Sequence, residues 1–431
     1  MSLEKYINDK FDGNIYDFLQ DECQEYWHRQ RVKDILDNRE YLAGKHKIKQ
    51  RVNEVYNGKV FETRKITLQY AKTLLSFETA FLLKNPVTLI SNDLDALELY
   101  KKVYREGKYH QLDYEILSRM VKYGEVYEYL YIDDNNRIKS ILINGEDSYP
   151  IYDDKCQMIA FIEHYIFDGI AYYNLFTGDK VIKFSDEGGS LHLVAEYNNI
   201  SGLPIPYVLP SELDNLKGHA SFREYIDILD ALEDLISKYM DSFYKFLNPI
   251  PLFKGTKLNT KDGGIDENAV GFALQLAEDA DFSFVNSKMD FNSFKTMWNT
   301  LKQSLLDISQ TPGVSMNSQE ISNISTVSIQ MLYSMAEIKG AMNSLHLKAG
   351  FEKRWGKMKK LLNTLGYNVS EDAYIDCQFN MNIPQNEKEI IENIVNATGA
   401  NIMSIDRAVE VNPYTIDVNA ELERLKGDSI E

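Results

Sequence analysis

Apolar residues recur at three- and four-residue steps through much of the chain, and the breaks in that rhythm divide it into elements. Residues 15–56 read as helical, with Ile15, Phe18, Leu19, Trp27, Val32 and Ile35 at mixed spacings. In RKITLQYAKTLLSFETAFLLKNP, Ile66, Tyr70, Leu74, Phe77 and Phe81 share one face. Pro86 stops that helix at or before Asn85, because a residue ahead of proline disfavours helical backbone. DLDALELYKKVYREG ends at Gly107 and HQLDYEILSRMVKYG at Gly124. From 125 to about 210 the pattern alternates and is rich in Tyr, Val and Ile, with Asp, Asn and Gly between short runs, which predicts a β-rich meander.

The helical rhythm returns at 221. Phe222, Ile226, Leu229, Leu232, Ile236, Tyr239, Phe243 and Leu247 form a near-heptad stripe that Pro249 and Pro251 terminate. The other face carries Glu224, Asp227, Asp230, Glu233, Asp234 and Asp241, relieved by Lys238 and Lys245, and reads first as a solvated face. Residues 250–288 look like strand, a Gly263-Gly264 turn, a short helical piece and strand. Helix resumes over 290–310, with Phe291, Phe294, Met297, Leu301 and Leu305 on its apolar side. The two helices therefore bracket a small α/β knob and are expected to lie antiparallel.

TPGVSMNSQEISNIS, residues 311–325, follows as a polar loop, of a length that is usually functional or disordered. Pro312 cannot extend the helix before it, Gly313 allows a sharp exit, and Ser325 or Thr326 caps the next helix. Over 325–365, Met331, Met335, Ile338, Met342 and Leu345 give way to a second phase of Phe351, Trp355, Met358 and Leu362. The slip near Gly350 predicts one long helix bent there or two helices meeting there. The Met-rich stripe reads as core before it reads as a binding surface. Residues 367–431 begin with a strand-like AYIDCQFNMNIP and continue as short helices.

Composition narrows the function classes. The 431 residues carry a formal charge of −18, which argues against a free-standing DNA binder that gains affinity by displacing counterions with Lys and Arg. Cys23, Cys156 and Cys377 lie far apart and read as scattered reduced thiols of an intracellular protein. The sequence shows no signal peptide and no apolar run long enough for a membrane span. It lacks GxxxxGK[ST], HExxH, GxSxG and GxGxxG, and no His has a second ligand at metal spacing. The carboxylates of IDDNNR and GEDSYPIYDD could hold Mg²⁺, but between strands such clusters read as turns. His164, within an alternating run, reads as a half-buried histidine. No catalytic constellation, cofactor site or metal site is expected.

The order of elements, with several local strings, resembles the portal proteins of tailed bacteriophages, in particular the siphovirus-type family. The strings are LLSFETAFLLKNPVTL, MVKYGEVYEYLYIDDNNRIKSILINGEDSYPIYDD, NNISGLPIPYV and DISQTPGVSMNSQE, and the resemblance runs from about 50 to 380. Ser201-Gly202-Leu203 departs from the family's more usual aromatic-Gly pattern.

The resemblance implies an α+β portal fold in a ring oligomer, a dodecameric, non-enzymatic channel at one capsid vertex. Residues 1–217 would be the α/β wing, 218–249 and 289–310 the long antiparallel stem helices, and 250–288 the small α/β clip. Residues 311–325 would be the tunnel loop, 326–366 the long kinked helix and 367–431 the helical crown. Pro312, Gly313, Val314, Ser315, Met316, Asn317, Ser318, Gln319 and Glu320 would face DNA, and Glu224, Asp227, Asp230, Asp234, Lys238 and Lys245 would line the tunnel wall. Lys254, Lys257, Lys261 and Asp262 would dock the large terminase subunit and then the head-tail adaptor. Major capsid and scaffolding proteins would be further partners, and double-stranded DNA would pass without sequence specificity or any role for a membrane. The expected place is the virion, after assembly in the host cytoplasm. Phe222, Phe243 and Trp298 would need surface from neighbouring subunits. Two other classes stay open at this point: a metal-dependent phage nuclease using the acidic turns, and a helical scaffold or adaptor binding through the Met-rich stripe.

Overall fold

The computed structural model describes residues 1–56, 59–246, 250–254, 281–285, 290–313, 326–381, 383–384, 386–415 and 418–428. Along the chain come helices α1 (Leu3–Phe11), α2 (Ile15–Gln24) and α3 (Tyr26–Leu42), strands β1 (Glu54–Tyr56) and β2 (Lys59–Phe61), helix α4 (Tyr70–Leu83), strand β3 (Thr88–Ser91), and helices α5 (Leu94–Gly107) and α6 (Tyr109–Tyr123). Strands β4 (Glu125–Ile132), β5 (Ile138–Asn144), β6 (Ser148–Tyr152), β7 (Met158–Phe167), β8 (Ile170–Phe176), β9 (Lys180–Ser185), β10 (His192–Asn198) and β11 (Ile205–Val208) follow. After them stand α7 (Ile226–Phe246), β12 (Ile250–Lys254), β13 (Asp281–Val285), α8 (Phe291–Ile308), α9 (Thr326–Thr364), β14 (Ile375–Gln378), α10 (Glu387–Gly399), α11 (Ile405–Val411) and α12 (Val418–Asp428). The fold is mixed helix and sheet.

Two compact units result. One joins Met1–Ala43, Tyr70–Glu224 and Leu306–Glu431; the other joins Gly44–Gln69 and Tyr225–Leu305.

In the first unit, β6 to β10 form a five-stranded antiparallel meander in sequence order, and β11, β4 and β5 a three-stranded sheet. Phe18, Leu19 and Cys23 of α2 pack on Tyr149, Ile151, Ile162, Leu175 and Phe184, so the first helices cover one face of the meander. Tyr127 and Ile143 of the smaller sheet meet Phe161, Phe176 and Val181 in a second cluster. Helix α4 packs on α6 and α9, and α9 also touches β4, β11 and β14. Gly124 caps α6 at φ +93°, and a Cβ there would lie 2.6 Å from the Gly218 backbone. Only glycine satisfies both conditions.

Three helical expectations need revision. The span 15–56 is not one helix: Glu25 leaves helical backbone between α2 and α3, α3 ends at Leu42, and the segment finishes in the β1–β2 hairpin. The pattern also left out α1, which Ser2 caps through Lys5 N–H. Helix α4 begins at Tyr70 rather than Ile66, because Ile66 and Leu68 are tied to another element by their backbone.

Of the two readings of the slip near Gly350, one long helix holds and two meeting helices do not. Helix α9 is continuous for 39 residues. A Cβ on Gly350 would lie 2.1–2.7 Å from the Tyr207 ring, so the phase changes where an aromatic ring lies against bare helix backbone. Beyond it Phe351, Trp355, Met358 and Leu362 are buried as expected. Before it, Met331, Met335, Ile338, Met342 and Leu345 are 48–73 % exposed, so that stripe is not core of this chain. The inward side is Tyr333, Ala336, Gly340, Asn343 and Leu347, whose small members admit Phe81 of α4.

Candidate functional site

In the second unit, α7 is amphipathic but its polar side is not simply solvated. Glu233 and Ser237 are fully buried. Leu68 N–H donates to Glu233 Oε1 at 2.7 Å, Ile66 N–H to Ser237 Oγ at 3.0 Å, and Arg64 N–H to Asp241 Oδ1 at 2.9 Å. Alternate residues of an extended segment thus meet every fourth residue of a helix. The steps match because two extended residues advance about 6.6 Å and four helical residues about 6.0 Å. His46 Nδ1 adds a 2.5 Å contact to Glu233 Oε1, Arg51 donates to Asp241 at 2.7 Å, and the Arg64 guanidinium lies 4.2 Å from the Tyr244 ring centroid. Burial raises the Glu233 carboxyl above its usual range. Glu233 and Asp241 therefore fasten the 64–68 strap and do not belong to a free acidic surface.

The remaining acids of α7 occupy a different flank. Asp227, Asp230 and Asp234 line a cleft of about 660 Å³ with Lys47 and Arg51. Burial raises Asp230, against the opposing pull of Lys47. Asp234 pairs with Lys238 at 2.7 Å along the helix. In the first unit, Glu224 stands 3.6 Å from Lys339. Lys245 lies in the last turn of α7, and Lys254 ends β12 opposite Asp281. Strands β12 and β13 stand at the two ends of 250–288 that read as strands, and they pair antiparallel. Lys257, Lys261 and Asp262 lie outside the described residues.

On the apolar side of α7, Leu229 and Leu232 are buried, and Tyr239 stacks on Phe294 of the same unit with ring centroids 3.7 Å apart. Phe222 needs no neighbouring subunit: it is buried in the first unit, stacked on Tyr41. Phe243 is 43 % exposed.

Of the loop 311–325, only its entry is described. Helix α8 ends at Ile308, Gln310 takes a left-handed φ of +53°, and Thr311 N–H reaches Leu306 O at 3.0 Å. This is a left-handed helix stop, so the chain turns at Gln310, before Pro312 and Gly313. Val314, Ser315, Met316, Asn317, Ser318, Gln319 and Glu320 lie outside the described residues.

The acidic turns have local work. Asp133 accepts from Asn135 N–H and Arg137 N–H, and Asp153 in the same manner from Lys155 N–H and Gln157 N–H, all at 2.9 Å. These bonds hold both carboxyls below the usual carboxylate range. Asn136 and Cys156 share a φ of +57° at the same place in the two hairpins. Among the described residues, no cluster of His, Cys, Asp and Glu is placed to hold a metal ion. His164 is partly buried, with Nδ1 3.1 Å from Tyr172 O, as its alternating strand suggested.

With this geometry in view, residues 23–431 match the family described as phage portal protein, SPP1 Gp6-like. The chain belongs to that family. A portal protein of Bacillus phage SPP1 is 20% identical over 377 residues, covering 82% of this chain and 74% of that protein. Among solved structures, the neck of an empty GTA particle computed with C6 symmetry is 9% identical, with 78% of this chain and 87% of that one covered at a TM-score of 0.46. The neck of a native GTA particle computed with C12 symmetry is 10% identical, with 80% and 91% covered at a TM-score of 0.45.

Sequence reading of this portal-family chain missed its buried ions. Arg354 of α9 is wholly buried, with Nε donating to Glu128 at 2.8 Å and Nη1 paired with Asp113. Tyr207 OH also donates to Glu128, at 2.7 Å. Arg31 of α3 is likewise enclosed, paired with Glu125 and donating to Gly145 O at 2.8 Å. A charged residue carries no sequence mark of burial, and only the apolar neighbours Phe351 and Trp355 hinted that Arg354 points inward.

Proposed function

We propose that this chain is the subunit of a dodecameric portal, through which double-stranded DNA enters and leaves a phage head. The family match along nearly the whole chain carries the proposal. In this reading 1–217 is the wing, α7 and α8 belong to the stem, and the β12–β13 pair is the foot of the clip, with the crown at 367–431. The clip docks the large terminase subunit during packaging and the head-tail adaptor afterwards. The wing meets capsid and scaffolding proteins. Assembly takes place in the host cytoplasm and the product resides in the virion. The subunit is structural and needs no cofactor.

Residues 312–320 would project into the channel. They contain no Lys or Arg. A lining without cations releases no counterions from DNA, so its contacts are weak and permit sliding. Asp227, Asp230 and Asp234 would add negative charge along the wall, offset in part by Lys47, Arg51 and Lys238. Mass photometry and negative-stain imaging test the ring directly; a protein that stays monomeric at micromolar concentration across salt conditions overturns the reading. Deleting 314–322 should leave rings intact but lower the DNA packaged per prohead, whereas Arg at 315, 317 and 318 should slow packaging most at low salt. Normal packaging by both variants would reduce the loop to a connector.

A further inference from the structure

Helix α9 carries two unlike features on successive stretches. Met331, Met335, Ile338, Met342 and Leu345 form an exposed apolar stripe, about 21 Å long at 1.5 Å per residue. Farther along, the helix borders a cleft of about 550 Å³ whose walls include Met158, Leu203, Pro204, Pro206, His346 and Lys353. The first stretch offers knobs and the second borders a hole. Both lie on the same continuous helix, so a single chain cannot bring its own stripe into its own cleft.

We propose that the stripe of one copy seats in the cleft of a second copy of this chain. The inference rests on the portal reading and names the contact that closes its ring. Exposed apolar patches of several hundred Å² mark interaction sites, and five half-exposed side chains supply on the order of 500 Å². That is more than half of the roughly 800 Å² per partner of a standard stable interface. Used once between two copies, with the second stripe left for a third cleft, the contact is heterologous, and repetition yields a ring when the rotation closes. A stripe pairing with its own copy would instead stop at a dimer.

The chain supplies its own reporter. Cys156 is exposed and lines the cleft, while Cys23 and Cys377 are buried. Met335→Cys, Met342→Cys and Leu345→Cys, each placed in the full-length protein, are oxidised with diamide, which takes up the two electrons and two protons released as a disulfide forms. At least one should give a ladder of dimers, trimers and larger species on non-reducing gels. Adding Cys156→Ser should abolish the ladder while mass photometry still shows assembled rings. Met335→Asp with Met342→Asp should shift the assembly to monomer with an unchanged circular-dichroism spectrum. Imaged rings without any Cys156-dependent ladder would overturn this contact and leave the portal reading standing. Cross-links that persist in Cys156→Ser would mean stripe on stripe and overturn it as well. A chain that never assembles would overturn both.

Discussion

Replacing Asp113 with Asn should stabilise the protein increasingly as the pH rises above about 4, with the full gain above about pH 6. Asp113 and Glu128 both face the single Arg354 guanidinium in the core. Burial outweighs the attraction of Arg354 and pushes the Asp113 carboxyl up to about 6 from an ordinary 3.8. A group that binds its proton more tightly when folded imposes no penalty below its unfolded pKa; the penalty grows as pH rises and is complete above the folded one. At 1.36 kcal/mol per pH unit the full penalty is about 3 kcal/mol, reached above about pH 6 and absent below about pH 4. Asn keeps the shape and the acceptor oxygen but removes the titration. Urea unfolding followed by tryptophan fluorescence, at one protein concentration, should therefore show Asp113→Asn gaining on wild type between pH 4.5 and pH 8, by up to about 3 kcal/mol less the roughly 1 kcal/mol of a weakened hydrogen bond. Arg354→Met sets the opposite limit: it leaves both carboxylates unpaired and should cost about 3–5 kcal/mol at pH 8, with relief as the pH falls. An equal stability change for Asp113→Asn at both pH values would show that Asp113 stays ionised throughout, and the reasoning would be wrong.

Gly350→Ala puts a methyl group into the Tyr207 ring, which is buried and held by Glu128, and should cost at least about 1–3 kcal/mol in thermal unfolding, whereas Gly356→Ala, where nothing stands within 4 Å, should be neutral or slightly stabilising. Glu233→Ala removes an acceptor from Leu68 N–H and should speed hydrogen exchange there, with Ile66 and Arg64 following if the strap opens as a unit. Independent exchange at the three amides would show that each bond acts alone.

Much of the architecture was legible because local signals agreed. The ends of α5 and α6 follow from Gly107 and Gly124, and the Asp-rich strings mark the hairpins between β4 and β5 and between β6 and β7. Family membership came from the order of such elements together with strings like NNISGLPIPYV. What stayed hidden depends on distant partners. A heptad of Met and Ile looks the same whether its cover belongs to the same chain or to another, so the α9 stripe read as core. The acids of α7 looked solvated because nothing near them in sequence shows that Glu233 and Asp241 accept from backbone more than 160 residues away. Arg354 was hidden for the reason that makes it costly: charge is expected outside.

The strap across α7 also behaves as a detent. Its amides point at the helix only at every second residue, so a shift by one residue would turn them to the far edge, away from Glu233, Ser237 and Asp241, and forfeit all three bonds together. A shift by two would re-engage them one notch farther along. Because the helical and extended steps differ by about 0.6 Å per rung, the mismatch accumulates and favours a short, three-rung engagement over a longer one. Twisting or stretching of α7 would accordingly be felt by residues 64–68 as discrete clicks and not as a gradual slide.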